Sequence, residues 1–196
     1  MKTLRPLALV LCAILAFSTA RATTVIPPSF DELVARAELI FEGTVTDVKS
    51  QWIGEGAQRH IVSYVTVQVA DPVKGNPGET YTLRMLGGTV GEDTMEVSDS
   101  PKFSVGDRDI LFVENNGKQF VPLVGIMHGR FHVERDNATG ADTVLTDGGR
   151  TISDVQALGR DDATAASKSA ATNAVERPLD AESFKAAIRS KLASAK

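Results

Sequence analysis

A short helix is predicted near the start of the folded region by the spacing of its apolar residues. Four of them recur at positions i, i+3, i+4 and i+7, which places them on one helical face: Phe30, Leu33, Val34 and Ala37. Ser29 and Glu32 have the spacing of a capping box at its start. Pro27 and Pro28 precede it and cannot lie in a helix interior. The helix should therefore begin after Ser29 and end near Ala37.

The pattern then changes to alternation of apolar and polar residues, which is typical of β-strands. Residues 60–69, HIVSYVTVQV, place Ile61, Val65, Val67 and Val69 on one face. Turn signals rich in Gly, Asn and Pro separate the runs. Gly43 is a candidate bulge within the first of them. Strands are predicted at 39–49, 60–69, 80–86, 109–114, 119–124, 130–135 and 143–145, so the fold should be mainly β, a barrel or a sandwich.

The chain changes character after Val155. Residues 161–175 contain no large apolar residue before Val175, so they cannot bury enough surface to offset the entropy of ordering. A second helix is predicted after Pro178, with Asp180 as its N-cap. Its apolar stripe, which should pack on the β domain or on another protein, is Phe184, Ile188 and Leu192. The predicted organisation is a signal peptide at 1–22, a β domain at 23–155, a linker at 156–178 and a separate amphipathic helix at 179–196.

The first residues have the pattern of an export signal. Lys2 and Arg5 precede an apolar run at 7–17 that is too short to span a bilayer of about 30 Å. Ala20 and Ala22 then fit the small-x-small cleavage pattern. We expect cleavage between Ala22 and Thr23, with cleavage after Ala20 as the alternative, and a periplasmic or secreted protein without a membrane span in its mature chain.

Charge and composition exclude several classes of function. Of 196 residues, 21 are Lys or Arg and 25 are Asp or Glu, which gives a net charge of −4 and disfavours nucleic-acid binding. Cleavage after Ala22 removes three basic residues and Cys12, the only cysteine. The exported chain therefore cannot form a disulfide and must depend on core packing. With 3 His, a Cys/His metal cluster is excluded as well.

The sequence contains no recognisable catalytic set. It has no G-x-S-x-G motif, and no cysteine remains after cleavage to act as a nucleophile. His128 and His132 are four apart, which on a strand separates them by about 13 Å, so we interpret them as a loop histidine and a surface strand histidine. No catalytic residue, metal ligand or cofactor is predicted. The acids of 91–100, which are Glu92, Asp93, Glu96 and Asp99, are interpreted as a solvated loop, with a calcium site as the alternative.

A binding surface is predicted around the glycine run that ends the third strand. Gly87, Gly88 and Thr89 lack the lysine and the helix of a phosphate loop, so the glycines should allow a sharp turn or close backbone approach. Trp52, the only tryptophan, and Arg84 could complete a recognition patch there. The alternative for Trp52 is a cap over one end of the β domain.

Three segments together carry a family resemblance: FDELVARAELIFEGTVTDV, YVTVQVADPVKGNPGETYTL and FSVGDRDILFVENNGKQFVPLVG. With PKFSVGDRDILFV and GGTVG, they resemble a group of uncharacterised bacterial exported proteins. More distantly, their order is similar to the netrin-like barrel of tissue inhibitors of metalloproteinases, a variant of the OB-fold. The resemblance covers about residues 29–135 and implies an OB-fold-like antiparallel barrel of five to seven strands, closed or partly open, with a binding function. Those inhibitors chelate zinc through an N-terminal cysteine, which the mature chain lacks, so no inhibitory residue is carried over.

Three functions follow as hypotheses. The first is a noncatalytic binding module that holds an unknown protein or glycan of the cell envelope or medium, as a monomer. The second is a hydrolase that uses paired carboxylates. The third is an envelope assembly protein that docks through Phe184, Ile188 and Leu192.

Overall fold

The computed structural model describes residues 27–136, 140–159 and 177–195. Helix α1 is Phe30–Arg36 and helix α2 is Ala181–Ser194. The strands are β1 Leu39–Ile53, β2 His60–Lys74, β3 Thr80–Leu86, β4 Gly88–Val90, β5 Asp93–Met95, β6 Arg108–Val113, β7 Arg130–Arg135 and β8 Asp142–Thr146. The predicted mainly β architecture is confirmed. The predicted signal peptide and most of the predicted linker lie outside the described residues.

Six strands form one antiparallel sheet in the order β3-β2-β1-β6-β7-β8, and β4 pairs with β5 in a separate hairpin. The pairing of β1 with β2 shifts register between Glu42 and Gly43. A Cβ at Gly43 would lie 2.6 Å from the carbonyl oxygen of Gln68, so the bulge requires glycine. The predicted role of Gly43 is therefore confirmed.

Helix α1 forms as its pattern predicts. The Glu32 amide donates to the Ser29 hydroxyl oxygen, and the Glu32 carboxylate accepts from the Ser29 amide at 2.8 Å. Phe30, Leu33 and Val34 are buried. The capping box therefore fixes the start of a helix whose apolar face packs on the sheet.

The sheet carries an apolar core on each face, because successive side chains of a strand point to opposite sides. Ile40 and Phe112 lie in the core that α1 and α2 cover. Phe41 and Leu111, their immediate neighbours in sequence, lie in the second core with residues of β2 and β3. A continuous apolar run in β6 thus serves both cores.

The segment after β6 covers the outer edge of β3. The Arg84 amide donates to Asn116 Oδ1 at 2.9 Å, and Asn116 Nδ2 donates to the Thr82 carbonyl at 2.8 Å. The side chain of Asn116 therefore takes the place of a strand peptide group. The prediction of a strand at 119–124 is wrong: an isolated bridge joins Leu123 to Val113, and Pro122 has no N–H to donate. No ladder closes the described part of the sheet into a barrel.

Helix α2 packs against the chain's own sheet. Asp180 is its N-cap, as predicted, and accepts from the Ser183 amide at 2.8 Å. Phe184 and Ile188 are fully buried, and the Phe184 ring lies 5.0 Å from that of Phe131, centroid to centroid. Of the two alternatives for this apolar stripe, the structure has the first, packing on the β domain, with Leu192 partly buried against the same core.

The folded part of the chain also extends beyond the predicted start of the linker. Residues Val155–Ala157 form a 3-10 turn, and Leu158 is buried in the core beneath α1. Gly159 lies so close to Ser29 that a Cβ would come 2.6 Å from the Ser29 Cα. Packing against the start of α1 orders this segment to residue 159, although its sequence lacks an obvious apolar period.

Candidate functional site

A cleft of about 620 Å³ lies between the sheet and the β4–β5 hairpin. Side chains from β1, β2 and β3 line one side of it, and the hairpin and residues 96–103 line the other. Its volume is typical of pockets that hold a ligand. Apolar side chains provide much of the lining: Val48, Val65, Met85, Met95, Val97 and Phe103.

Gly87 and Gly88 seat the hairpin on the sheet. Both have positive φ, +95° and +132°, a conformation that residues with a Cβ rarely adopt. A Cβ on Gly88 would overlap the hydroxyl groups of Ser50 and Ser63. Ser63 Oγ in turn donates to the Gly87 carbonyl at 2.6 Å. The glycine run therefore allows the sharp turn and the close backbone approach that its sequence indicates.

The structure divides the predicted recognition patch. Gly87, Gly88 and Thr89 line the cleft, whereas Trp52 and Arg84 do not. Arg84 lies between the buried residues Leu83 and Met85 on β3, so its side chain points to the opposite face of the sheet. Trp52 is partly exposed, and the Arg59 guanidinium lies 4.1 Å from its ring centroid.

The acidic residues around the hairpin are exposed to solvent, as the predicted solvated loop requires. Glu96 and Asp99 line the cleft, Glu92 lies in the turn of the hairpin, and Asp93 begins β5. Lys102, the cationic residue in the lining, forms a salt bridge with Glu96 at 3.0 Å. The rim of the cleft therefore carries more negative than positive charge.

A buried arginine holds the segment 101–107, whose residues 101–103 form part of the cleft wall. Arg130 is 1% exposed, and it donates to the Lys102 carbonyl at 2.8 Å and to Asp107 at 2.6 Å. Its guanidinium also lies 3.9 Å from the Phe103 ring centroid. Asp109, fully buried at the start of β6, accepts from it at 3.0 Å. The guanidinium thus links this wall to the sheet.

His132 lies on strand β7, and its side chain, 25% exposed, belongs to the same charged cluster. Its Nδ1 lies 2.8 Å from Asp109 Oδ1, although the angle falls short of a well-aligned hydrogen bond. Contact with this carboxylate raises the pKa of the imidazole. Burial and the positive charge of Arg130 act to lower that pKa but do not offset the contact. Burial raises the pKa of the nearby Asp147 carboxyl, whose Oδ1 lies 3.7 Å from His132 Nε2.

A second charged cluster joins α2 to the sheet. The carboxylates of Glu42, Asp71 and Glu182 converge on the Lys185 ammonium at 2.5, 2.7 and 2.7 Å. Burial alone would lower the pKa of Lys185, but these three contacts together raise it above its usual range. The ammonium takes the position that a cation would occupy among them. Among the described residues, Glu42, Asp71 and Glu182 are also the one group of three side chains whose carboxylate oxygens lie close enough together to hold a metal ion, within 4.8 Å of one another.

Neither charged cluster follows from the periodicity of the sequence. A weak signal exists for each, since Glu42 and Asp109 are single acids within apolar strand runs, LIFEGTV and DILFV. A buried acid requires a partner, but the partners of Asp109 and Glu42 come from other strands and from α2. Their identity therefore depends on the tertiary fold.

Comparison with protein-family models gives no match to this chain, and no curated protein matches it. Neither described helix has the length and apolar content needed to cross a membrane. The assignment of function therefore depends on the geometry of the cleft and of the two charged clusters.

Proposed function

We propose that this protein is a noncatalytic binding module that holds a partner in the cleft beneath the β4–β5 hairpin. The observation that carries the proposal is a recess of about 620 Å³, lined about equally by apolar and polar groups, beneath a hairpin that Gly88 seats on the sheet. Recesses that combine apolar surface with polar groups are typical of ligand sites. Glycine at position 88 keeps the hairpin close to the sheet while leaving the recess beside it.

The distribution of titratable groups favours binding over hydrolysis. A carboxylate hydrolase needs two acids at its substrate, with environments that separate their pKa values. Asp147, whose pKa is raised, does not line the cleft, and it contacts Arg130 at 3.4 Å. The lining acids Glu96 and Asp99 are exposed on the loop after β5. The cleft therefore offers a recognition surface rather than a paired acid and base.

We also propose that β1, β2, β3 and β6 form a partly open, OB-fold-like barrel related to the netrin-like family. The support is the segment that bridges β3 and β6, in which the Leu86 amide donates to the Phe120 carbonyl at 2.7 Å. Asn116 extends this bridge along β3. An apolar core shared by the four strands, including Val65, Leu83 and Leu111, fills the space that they enclose.

The proposed location is the periplasm or the medium, because Lys2, Arg5 and the apolar run at 7–17 have the pattern of a signal peptide. The intact mass of the exported protein tests this proposal. We expect a chain that begins at Thr23. A product that retains Met1 and remains in the cytoplasm would contradict it.

A bulky residue in the cleft should abolish partner binding. Val97 is half-buried in the lining, so Val97→Trp is expected to fill the recess with little change in the cores. Val105→Trp is the matched control, because Val105 is 66% exposed and lies outside the cleft. Each mature chain is immobilised, exposed to an envelope extract, and assayed for bound proteins and glycans.

The Val105→Trp chain is expected to retain the same ligand as the wild-type chain. The amount of this ligand retained by Val97→Trp is expected to be at least tenfold lower. Thermal melting confirms that all three chains are folded. Equal retention by Val97→Trp, or the lack of any specifically retained ligand, would contradict the proposal.

A further inference from the structure

We propose that the partner bound in this cleft is a basic peptide segment that also carries apolar side chains. This inference rests on the proposed function and assigns the chemical class of the partner. Three observations carry it: the apolar part of the lining, the charge of the rim, and the hydrogen-bonding state of Ser50 and Ser63, two of the six hydroxyl side chains in the lining.

The apolar lining suits side chains of varied shape. Met85 and Met95 approach the cleft from the sheet and from the hairpin. Methionine is unbranched and polarizable, so it adapts to different apolar partners. Val97 and Phe103 add further apolar surface. A peptide with leucine-sized side chains would bury this surface, whereas a fully polar ligand would not provide apolar contacts to it.

The rim selects for positive charge. Glu96 and Asp99 border the cleft, and two further acids lie in the adjacent hairpin, Glu92 in its turn and Asp93 at the start of β5. Lys102 is already paired with Glu96 at 3.0 Å. Because the remaining acids are exposed and have the same sign, they should attract a basic segment and repel an acidic one.

The hydroxyl pair on the sheet side of the cleft, Ser50 and Ser63, favours a ligand that donates hydrogen bonds. Ser63 Oγ donates its single proton to the Gly87 carbonyl. The Ser50 hydroxyl, 2.8 Å from Ser63 Oγ, must therefore donate in that contact. Both hydroxyl protons are used, and acceptor lone pairs remain. Ammonium and peptide N–H groups match such acceptors.

The same observations disfavour a glycan. Sugar recognition needs both donors and acceptors for the sugar hydroxyls, and an aromatic face is a common platform for the ring. On the sheet side the Ser50 and Ser63 protons are already used, and the Phe103 ring in the lining has one face covered by the Arg130 guanidinium. A glycan is therefore an alternative outcome of the test below.

The test measures the Kd of two end-capped hexapeptides, one of alternating lysine and leucine and one of alternating glutamate and leucine. Calorimetry uses the chain from Thr23 onward. The charge variant is Glu96→Gln/Asp99→Asn, which keeps a residue that tolerates the positive φ of 59° at position 99. The matched control is Glu79→Gln/Glu134→Gln, which removes two exposed acids outside the cleft.

We expect the lysine peptide to bind and the glutamate peptide not to bind. The Kd of the lysine peptide should rise by about fivefold to tenfold in the charge variant and by less than about twofold in the control variant. Added salt should weaken binding, and Val97→Trp should abolish it. Equal binding of both peptides, or binding of the lysine peptide that survives Val97→Trp, would overturn the inference.

The outcome also separates this inference from the proposed function. If neither peptide binds, but a neutral oligosaccharide or an acidic peptide binds in a manner that Val97→Trp abolishes, the cleft is a binding site and its assigned partner class is wrong. If Val97→Trp affects the binding of no ligand, the proposed function fails as well.

Discussion

Replacing Lys185 with methionine is expected to destabilise the fold by about 3 kcal/mol, because it removes a buried cation from the buried carboxylate of Glu42. Lys185 and Glu42 each have side chains only 3% exposed, and their ion pair at 2.5 Å joins α2 to β1. Arg108, 2.6 Å from Glu42, and Arg189, 2.8 Å from Asp71, still partner these acids in the variant. These contacts keep the loss at the lower end of the range for a broken buried pair.

The matched control is Lys191→Met on the same helix. Lys191 also contacts a carboxylate, Asp31, but both side chains are substantially exposed, so less than about 1 kcal/mol should be lost. Denaturant unfolding measures both variants. In Lys185→Met/Glu42→Gln, the loss should be smaller than the sum of the single losses. Equal losses for Lys185→Met and Lys191→Met would show that the cluster does not hold α2.

Replacing Arg130 with methionine is expected to cost about 3–5 kcal/mol and to loosen the segment 101–107, whose first three residues line the cleft. Asp109 is fully buried and would lose its guanidinium partner. The control is Arg135→Met on the same strand, since Arg135 is 68% exposed and lies 3.5 Å from its partner Asp142. That variant should lose less than about 0.5 kcal/mol. Similar losses for the two variants in denaturant unfolding would contradict this account.

The same cluster should make stability depend on pH. The pKa of His132 is raised in the folded state, so its stabilising contribution is complete below the unfolded value of about 6.5 and is lost as pH rises through the folded value. Unfolding measured from pH 6 upward should therefore show falling stability in the wild type, and His132→Gln should remove this slope. The raised pKa of Asp147 also makes stability fall as pH rises, in a lower pH range just above 3.8. His132→Gln should leave this second slope in place. An unchanged slope above pH 6 in His132→Gln would place its origin elsewhere.

The elements with strong periodicity were predictable from the sequence. The capping box fixed α1 at Ser29, and Asp180 fixed α2. The β3 and β7 boundaries agree with the predicted ranges 80–86 and 130–135. These segments have local signals strong enough to indicate both their type and their ends.

Other elements depend on tertiary contacts that no local pattern encodes. The β4–β5 hairpin consists of strands of 3 residues each, one of them starting at Gly88, and it is stabilised by its seat on Ser50 and Ser63. The segment 119–124 has a strand-like composition, but it forms no ladder. Its Phe120 carbonyl accepts one hydrogen bond from Leu86 of β3, and Leu123 pairs with Val113 of β6 through an isolated bridge. Arg84 does not line the cleft with the glycines, because strand alternation turns it to the other face of β3.

The most direct measurement of the central claim uses the methionine methyl groups as reporters. Met85 and Met95 line the cleft, whereas Met127 lies outside it, in the 3-10 turn Ile126–Gly129. The chain from Thr23 onward is labelled with ¹³C-methyl methionine and titrated with the lysine–leucine hexapeptide, or with the ligand retained from the envelope. The account predicts that the Met85 and Met95 signals shift while Met127 stays in place. Binding that moves Met127 alone, or that leaves both cleft methionines unchanged, would contradict it.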